Sequence, residues 1–503
     1  MPPLHPLLGH LPVLARIMSA LPKDAHPHYL PDQLRRAYPS LGPIFYIDAW
    51  PFATFTLVLA SPSILAQVTT EHNSPKFPAI RDFLYPLTGG RDIVSMDGGE
   101  WKMWRSIFNP GFSASHLMTM VPDMIQETAI FCERLKEFAR KGKVFRMKGL
   151  TDDLAMDIIG KVVLDSNLNV QRSSNPMVNA LRRQMKWMAF GSEGNPLQQY
   201  HPLRPFVHFF NTWRINRYLS PEVDARFTFR KEQKNQYKDS GAKGATKSGK
   251  SVIDLALTAY LKQNAAAAAD ISNPDPAKSM DPTFKELAMN QVKLFLFSGH
   301  DTTSSSLCYT LYLLSTHPRT LSRVRAEHNE VFGPEPNGAA ARITADPYSL
   351  NKLPYTTAVI KESLRLYPAA SSTRSGEPGF CITGPDGRKY PTEDCLLWMI
   401  SHGLHRDPAY WPEPDSFIPE RWLVESAGDA LYPVKGAWRP FEHGPRACIG
   451  VELSMIELKI VVVLVARGFE LEAVYTDVDA GKRGGVRTVV GERAYQLGMT
   501  GQP

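Results

Sequence analysis

Apolar and polar positions recur with two different periods along the chain, and the change of period divides it. Residues 42–62, GPIFYIDAWPFATFTLVLASP, carry β-branched and aromatic runs on either side of a Trp-Pro-Phe break, which predicts a β-hairpin. From about 100 to 235 the apolar positions fall at helical spacing, as in DLAMDIIGKVVLDS. Residues 236–252, QYKDSGAKGATKSGKSV, have no apolar period and read as an exposed flexible loop. The run AAAAAD at 265–270 can extend a helix, and NPDPAKSMDP (273–282) breaks it. A long helix follows. Asp281 is its expected N-cap and Pro282 its first residue. The run FKELAMNQVKLFLFSGHDTTSSSLCYTLYLLSTHP then continues to Pro318, more than twice an average helix, so it has to cross the interior. A second helix, TTAVIKESLRLYP, ends at Pro368. Short β-like pieces, the Pro-rich stretch DPAYWPEPDSFIPERW, a loop carrying Cys448 and the apolar helix ELSMIELKIVVVLVAR come next. Residues 468–503 show strand-like patches, and residues 1–30, rich in Pro and His, read as extended. The pattern describes a mainly α protein with a smaller β part. We divide it into an N-terminal hinge, 1–40, and a single domain, 41–503, with a flexible insertion at about 236–280.

Composition removes several classes. Of the 503 residues, 43% are hydrophobic and 21% charged, ordinary values for a chain that buries a large core. Lys+Arg 57 against Asp+Glu 50 leaves a net +7, too diffuse to argue for nucleic acid but compatible with a basic face for an acidic protein partner. The five cysteines, Cys132, Cys308, Cys381, Cys395 and Cys448, are odd in number and widely spaced, which argues against a disulfide framework and a zinc site. Four read as small buried hydrophobes. The stretch PLLGHLPVLARIMSALP is broken by Pro, Gly, His and Arg, and falls short of a membrane span or a secretory signal.

The fifth cysteine is different. FEHGPRACIG, 441–450, sets Phe441, Gly444, Arg446, Cys448 and Gly450 in order ahead of a helix. Amides at a helix start favour thiolate over thiol. Gly444 suits a tight turn, and Gly450 lets a flat cofactor approach the backbone. Arg446 can pair with an anionic group on that cofactor. Phe441 can pack beside the sulfur and limit water. The pattern FxxGxRxCxG resembles the haem-binding loop of the cytochrome P450 superfamily, the haem-thiolate monooxygenases, in which a cysteine thiolate is the proximal ligand.

Three further motifs appear in that family's order. Glu362-Ser363-Leu364-Arg365 places opposite charges at i and i+3 on one helix face. Alone, such a pair is an ordinary surface contact worth about 0.3 kcal/mol. With FIPERW (417–422) downstream it resembles the ExxR and meander motifs, and the resemblance gives Glu362, Arg365 and Arg421 a structural role behind the haem. Ser298-Gly299-His300-Asp301-Thr302-Thr303 resembles the family's [AG]GxDT[TS], with Ser298 at the small first position. There Gly299 lets the helix approach the haem face, Thr302 offers its hydroxyl to bound oxygen, and Asp301 feeds protons toward it. His300 is expected to point away from the haem. Trp101 and Arg105, at i and i+4 in WKMWR, resemble a propionate-binding pair, and Arg374 is a further propionate candidate by position. One other match is set aside. Residues 244–251, GATKSGKS, fit a phosphate-loop pattern, but no apolar strand precedes them.

The resemblance implies haem b held by Cys448 and insertion of one oxygen atom from O2 into an apolar substrate, a natural product or lipid. Substrate-lining residues would come from Phe83 to Met96, Phe295 to Thr302 and Ala369 to Thr373. Electrons would come from NADPH through a separate NADPH-cytochrome P450 reductase, with cytochrome b5 as a second donor. PLLGHLPV resembles the hinge after the membrane anchor of microsomal members, and HRDPAYWPEPDSFIPERW resembles fungal ones. The endoplasmic reticulum membrane, cytosolic face, is then the expected location of an anchored form. Two other readings stay open: a peroxide-using or rearranging haem-thiolate enzyme, and a non-catalytic haem binder or sensor.

Overall fold

The computed structural model describes residues 2–188, 201–239, 251–269 and 280–475, except 23, 24, 27 and 52, together with a short strand pair at 488–489 and 492–493. The described residues are mainly helical, with few strands, and the chain forms two compact units. The first takes Met1–Phe77, Thr128–Asp152 and Asp301–Pro503; the second takes Pro78–Glu127 and Asp153–His300.

The first unit holds the sheet. The expected hairpin forms, with β1 (Ile44–Ile47) antiparallel to β2 (Thr56–Leu59). β2 then runs parallel to β6 (Leu396–Met399), and β6 antiparallel to β3 (Ser372–Ser375), giving the order β1-β2-β6-β3. β4 (Cys381–Thr383) and β5 (Lys389–Pro391) pair separately. Leu57, Leu59, Leu397 and Met399 are buried from one face of the sheet among Ile64, Leu65 and Leu404. Each such side chain contributes about 1.5–3 kcal/mol.

The N-terminal segment departs from expectation. Leu11–Ala20 and Tyr29–Ala37 are helices, not extended chain. Pro12 lies in the first turn, where a proline costs no hydrogen bond. Val13, Leu14 and Ile17 recur at helical spacing and pack on Leu34, Phe45 and Ile47. Proline content hid that period.

The second unit is built on aromatic stacking. Trp104, on the helix Gly98–Phe108, stacks on Phe108 and on Phe284 of the long helix, and Phe284 stacks in turn on Tyr260. Within the expected insertion the described residues are helical, Arg204–Asp239 continuing past 236 and Val252–Ala269 following, while 240–250 and 270–279 lie outside the described residues. Val252, Ile253, Ala256 and Leu257 are buried at a helical period, and a Cβ on Gly111 would lie 3.1 Å from the Val252 side chain. The polar stretch beside them masked this anchoring face. Most of the phosphate-loop match, 244–250, lies outside the described residues.

The long helix is Pro282–Thr316, with the Thr283 N–H donating to Asp281 Oδ1 at 3.1 Å as the cap. The second predicted helix is Pro354–Leu366, and the apolar helix after the Cys448 loop is Val451–Gly468.

Candidate active site

The Cys448 loop is shaped by backbone contacts. Gly444 has φ +83°, and a Cβ there would stand 2.3 Å from the Thr69 carbonyl, so only glycine fits. The Ala447 N–H donates to Gly444 O at 3.0 Å and the Cys448 N–H to Phe441 O at 2.9 Å. The Gly450 N–H reaches Cys448 Sγ at 3.4 Å, and the helix starts at Val451. An amide and a helix N-terminus therefore face the sulfur, the surroundings that favour a thiolate. Cys448 is exposed, Phe441 and Arg446 half-buried. Phe441 packs edge-on against Trp438 with ring centres 6.0 Å apart.

Behind the loop, one carboxylate collects five donors. Glu362 accepts from Arg365 Nε and Nη2 (3.0 and 2.8 Å), Arg421 Nε (3.0 Å), Trp422 Nε1 (3.0 Å) and the Ile418 N–H (3.0 Å). Both arginines and Glu362 are fully buried. Arg365 also ties down the carbonyls of His405, Pro414 and Ser416. A buried charge survives only with such saturation.

A connector missed by the sequence reading joins these two parts. His405 Nε2 accepts from the Arg439 N–H at 2.8 Å, so Nδ1 carries the proton and donates to Arg365 O at 3.1 Å. Burial, then the Arg365 charge, pushes the His405 pKa down to about 3, which keeps it neutral. Arg439 is buried and donates to Thr69 Oγ1 at 2.8 Å and to Glu442. The available signal was the second histidine of SHGLHRDP, which motif matching passed over.

On the long helix, Ser298, Ser306 and Thr310 return their hydroxyls to carbonyls one turn back, Leu294, Thr302 and Ser306, a pattern that bends helices. Thr302 is half-buried. His300 is buried, with Nδ1 2.7 Å from Leu296 O on its own helix, which turns that nitrogen to the backbone. Gly299 also meets a neighbouring helix. A Cβ would lie 2.7 Å from the Ile159 side chain, so the missing side chain admits the neighbouring helix Met147–Leu164. Asp301 is ion-paired: Lys148 Nζ lies 2.8 Å from Asp301 Oδ1 and 2.5 Å from Asp152 Oδ1. The sequence offered no motif for Lys148.

Arg374 lies on β3, fully buried, with Nη1 3.3 Å from Ser372 Oγ and from Thr373 O. Of the stretch just before it in the expected lining, Ala370 is exposed and Ala369, Ser371, Ser372 and Thr373 are half-buried. In the second unit, Trp101 is buried and Arg105 half-buried on Gly98–Phe108. In the same unit the Ile93 N–H donates to Gln291 Oε1 at 2.9 Å, tying the stretch 83–96 to the long helix.

The family model for cytochrome P450 matches residues 1–497. The chain belongs to the cytochrome P450 family. It is 43% identical over 502 residues to the cytochrome P450 monooxygenase polC of Polytolypa hystricis, covering 99% of this chain and 86% of that one. It is 34% identical to the cytochrome P450 monooxygenase acrF of Aspergillus aculeatus, over 96% of each chain. The cytochrome P450DA heme domain, at 22% identity, superposes with a TM-score of 0.67 over 92% of this chain and 90% of that chain, a likeness in fold. This cytochrome P450 is therefore a monooxygenase whose cofactor is haem held by a cysteine thiolate. The Cys448 loop fits that group. Cys308 does not: it is buried, lies 3.3 Å from Thr151 Oγ1, and burial pushes its thiol up to about 12. Burial likewise pushes Cys132 up to about 12, and raises the Cys395 thiol.

Proposed function

We propose that this cytochrome P450 binds haem b through Cys448 and inserts one oxygen atom from O2 into an apolar natural product or lipid of secondary metabolism, using NADPH electrons delivered by a separate reductase. The observation that carries the reading is the Cys448 loop, where an exposed thiol meets a backbone amide and a helix start. When bound, the haem supplies O2 activation. The chain supplies the rest. Gly450 N–H and the helix start hold negative charge on Cys448 Sγ. Arg105, Trp101, Arg374 and Arg446 are the groups that would hold the carboxylates of the cofactor. Thr302 presents its hydroxyl on the oxygen side, and Asp301 moves protons toward it.

The relatives support the monooxygenase reading and its place in secondary metabolism: two are named monooxygenases from the fungi Polytolypa hystricis and Aspergillus aculeatus. The net +7 suits an acidic flavoprotein such as NADPH-cytochrome P450 reductase, with cytochrome b5 as a second donor. Among the described residues no helix is long and apolar enough to cross a membrane. Docking at the cytosolic face of the endoplasmic reticulum is the location that agrees with a reductase partner and with mammalian relatives such as cytochrome P450 3A6 of Oryctolagus cuniculus, 28% identical over 420 residues.

The test is the carbon-monoxide difference spectrum of the reduced holoenzyme, followed by turnover with NADPH and reductase. A red-shifted Soret band in the parent, lost in Cys448→Ala, supports the ligand assignment. A band unchanged in Cys448→Ala overturns it. Product formation that needs peroxide and ignores NADPH overturns the electron supply.

A further inference from the structure

One buried ammonium of the second unit has no counter-charge among the described residues. Lys293, on the long helix, is 3% exposed, and no hydrogen bond or ion pair reaches its Nζ from the described residues. Burial pulls its pKa down to about 8, and Glu286, exposed and two turns away, is the charge that pulls it back. At neutral pH Lys293 is therefore still mainly an ammonium. The buried carboxylates described in this unit are engaged elsewhere. Asp92 accepts from Thr88 Oγ1 (2.6 Å), Ser95 Oγ (3.0 Å) and the N–H groups of Val94 (2.9 Å) and Ser95 (3.0 Å). Asp157 accepts from the N–H groups of Val170 (2.9 Å) and Gln171 (3.0 Å), and Asp254 pairs with Arg230 at 3.1 Å. Folds keep buried charges with partners, and an isolated one is costly.

Lys293 lies one turn before Phe297 on the same face of the long helix, and Asn290, also buried, precedes it by three residues on that face. Phe297 meets Phe83 of the helix Pro78–Thr88, with ring centres 6.4 Å apart. The same short helix is joined to two others. Gln184 Nε2, on Pro176–Trp187, donates to Pro86 O at 2.5 Å, and Thr212 Oγ1, on Arg204–Asp239, donates to it at 3.1 Å. Gln184 Oε1 and both amide atoms of Asn211, the neighbour of Thr212, are buried without a hydrogen-bond partner among the described residues. The helix Pro78–Thr88 thus links the Lys293 face of the long helix to the unspent amides of the other two. Apolar walls with a few placed polar groups are how small-molecule sites are built. Buried groups left without partners in the fold are satisfied when a ligand carries the partner.

We propose that Lys293 is a specificity residue and that the substrate is an apolar organic acid, whose carboxylate pairs with the Lys293 ammonium. A lone ammonium matches one negative charge, so a carboxylate fits it and a phosphate, with nearly two, does not. Gln184 and Asn211 are the groups left for further oxygen substituents of that molecule. This narrows the proposed function to acids among the apolar natural products and lipids, and it rests on the reading of Phe83 to Met96 and Phe295 to Thr302 as substrate lining.

The experiment titrates the ferric, haem-loaded enzyme with palmitic acid and abietic acid, each against its methyl ester, and follows the shift of the Soret band. The parent, Lys293→Met, Lys293→Arg and Phe297→Ala are compared at equal haem content. In the parent each acid is expected to bind about ten-fold or more tighter than its ester, the worth of one charge-assisted hydrogen bond. Lys293→Met is expected to bring the acid down to the ester with the ester unmoved, and Lys293→Arg to keep the preference. Phe297→Ala is expected to weaken acid and ester alike. The melting midpoint of the ligand-free enzyme is expected to rise in Lys293→Met, because a neutral side chain of similar length removes an unpaired buried charge. Equal binding of acid and ester in the parent, or an acid preference that survives Lys293→Met, would overturn the proposal. So would a midpoint that fails to rise in Lys293→Met, which gives the ammonium a partner within the fold; this comparison decides if no probe shifts the band. If Phe297→Ala moves neither ligand, the lining reading fails and takes the proposal with it. If Phe297→Ala weakens both and the acid preference is absent, the proposal alone fails.

Discussion

Two ionic clusters in the same unit of this cytochrome P450 solve opposite problems. At Glu362, one carboxylate receives five hydrogen bonds from two arginines, an indole and a backbone amide, and Glu362 and both arginines are fully buried. At Lys148, one ammonium serves two carboxylates, with side chains 15%, 11% and 26% exposed. Surplus donors around a single acceptor fix its geometry, and forked, planar arginine suits that site. At the other, the three donors of one compact ammonium serve both carboxylates at once.

Removing the centre of the saturated cluster should do the most damage. Glu362→Ala leaves two buried guanidiniums without their shared acceptor, and a broken buried pair costs about 3–5 kcal/mol. The expected outcome is little haem-loaded protein, measured by haem content per chain after purification. Normal occupancy would mean that the cluster is not what holds the region behind the Cys448 loop. Double-mutant cycles then compare the clusters directly. Coupling of about 3 kcal/mol is expected for Glu362–Arg421 and about 1 kcal/mol for Lys148–Asp301, read from urea unfolding. Equal couplings would erase the distinction drawn between them.

The neutral connector gives a pH signature of intermediate size. Folded, His405 titrates near 3 against an ordinary 6.5. Below 6.5 the unfolded chain binds a proton that the folded one refuses, so this contribution is whole above 6.5 and falls as pH drops toward 3. His328, pushed down to about 3, and His26, to about 4, act in the same direction. Urea midpoints should decrease from pH 7 to pH 5, with a shallower decrease in His405→Gln. The opposite pH dependence is expected at Glu457, on Val451–Gly468. It is buried with Oε1 lacking a hydrogen-bond partner among the described residues, and burial holds its carboxyl well above the usual range. Its proton is kept in the fold and lost by the unfolded chain above the ordinary 4.5, which costs stability as pH rises. Glu457→Gln should match the parent near pH 5 and exceed it at pH 8; a deficit at pH 8 would assign Glu457 a charged partner.

The sequence carried the helices with clear apolar periods, the hairpin and the tight turn of the Cys448 loop, because backbone demands such as the positive φ at Gly444 restrict residue type locally. It did not carry Lys148 or His405. Each acts through a partner more than thirty residues away, Lys148 on Asp301 and His405 on Arg365 and Arg439, and each is an ordinary residue in its own neighbourhood. The helices of residues 11–37 were hidden for a different reason: proline at a helix start resembles proline in a coil until the packing of Val13, Leu14 and Ile17 is seen.

The parallel pairing of β2 with β6 has a consequence for synthesis of the chain. Thr56 meets Leu396, a partner about 340 residues later, and at 5–20 residues per second that interval is roughly 20–70 s. β1 covers one edge of β2 early, while the other edge of Thr-Leu-Val-Leu waits uncovered on the ribosome. A nascent or prematurely ended chain lacking residues 396–399 therefore presents an open apolar strand, and the cell has to shield it or lose it to aggregation.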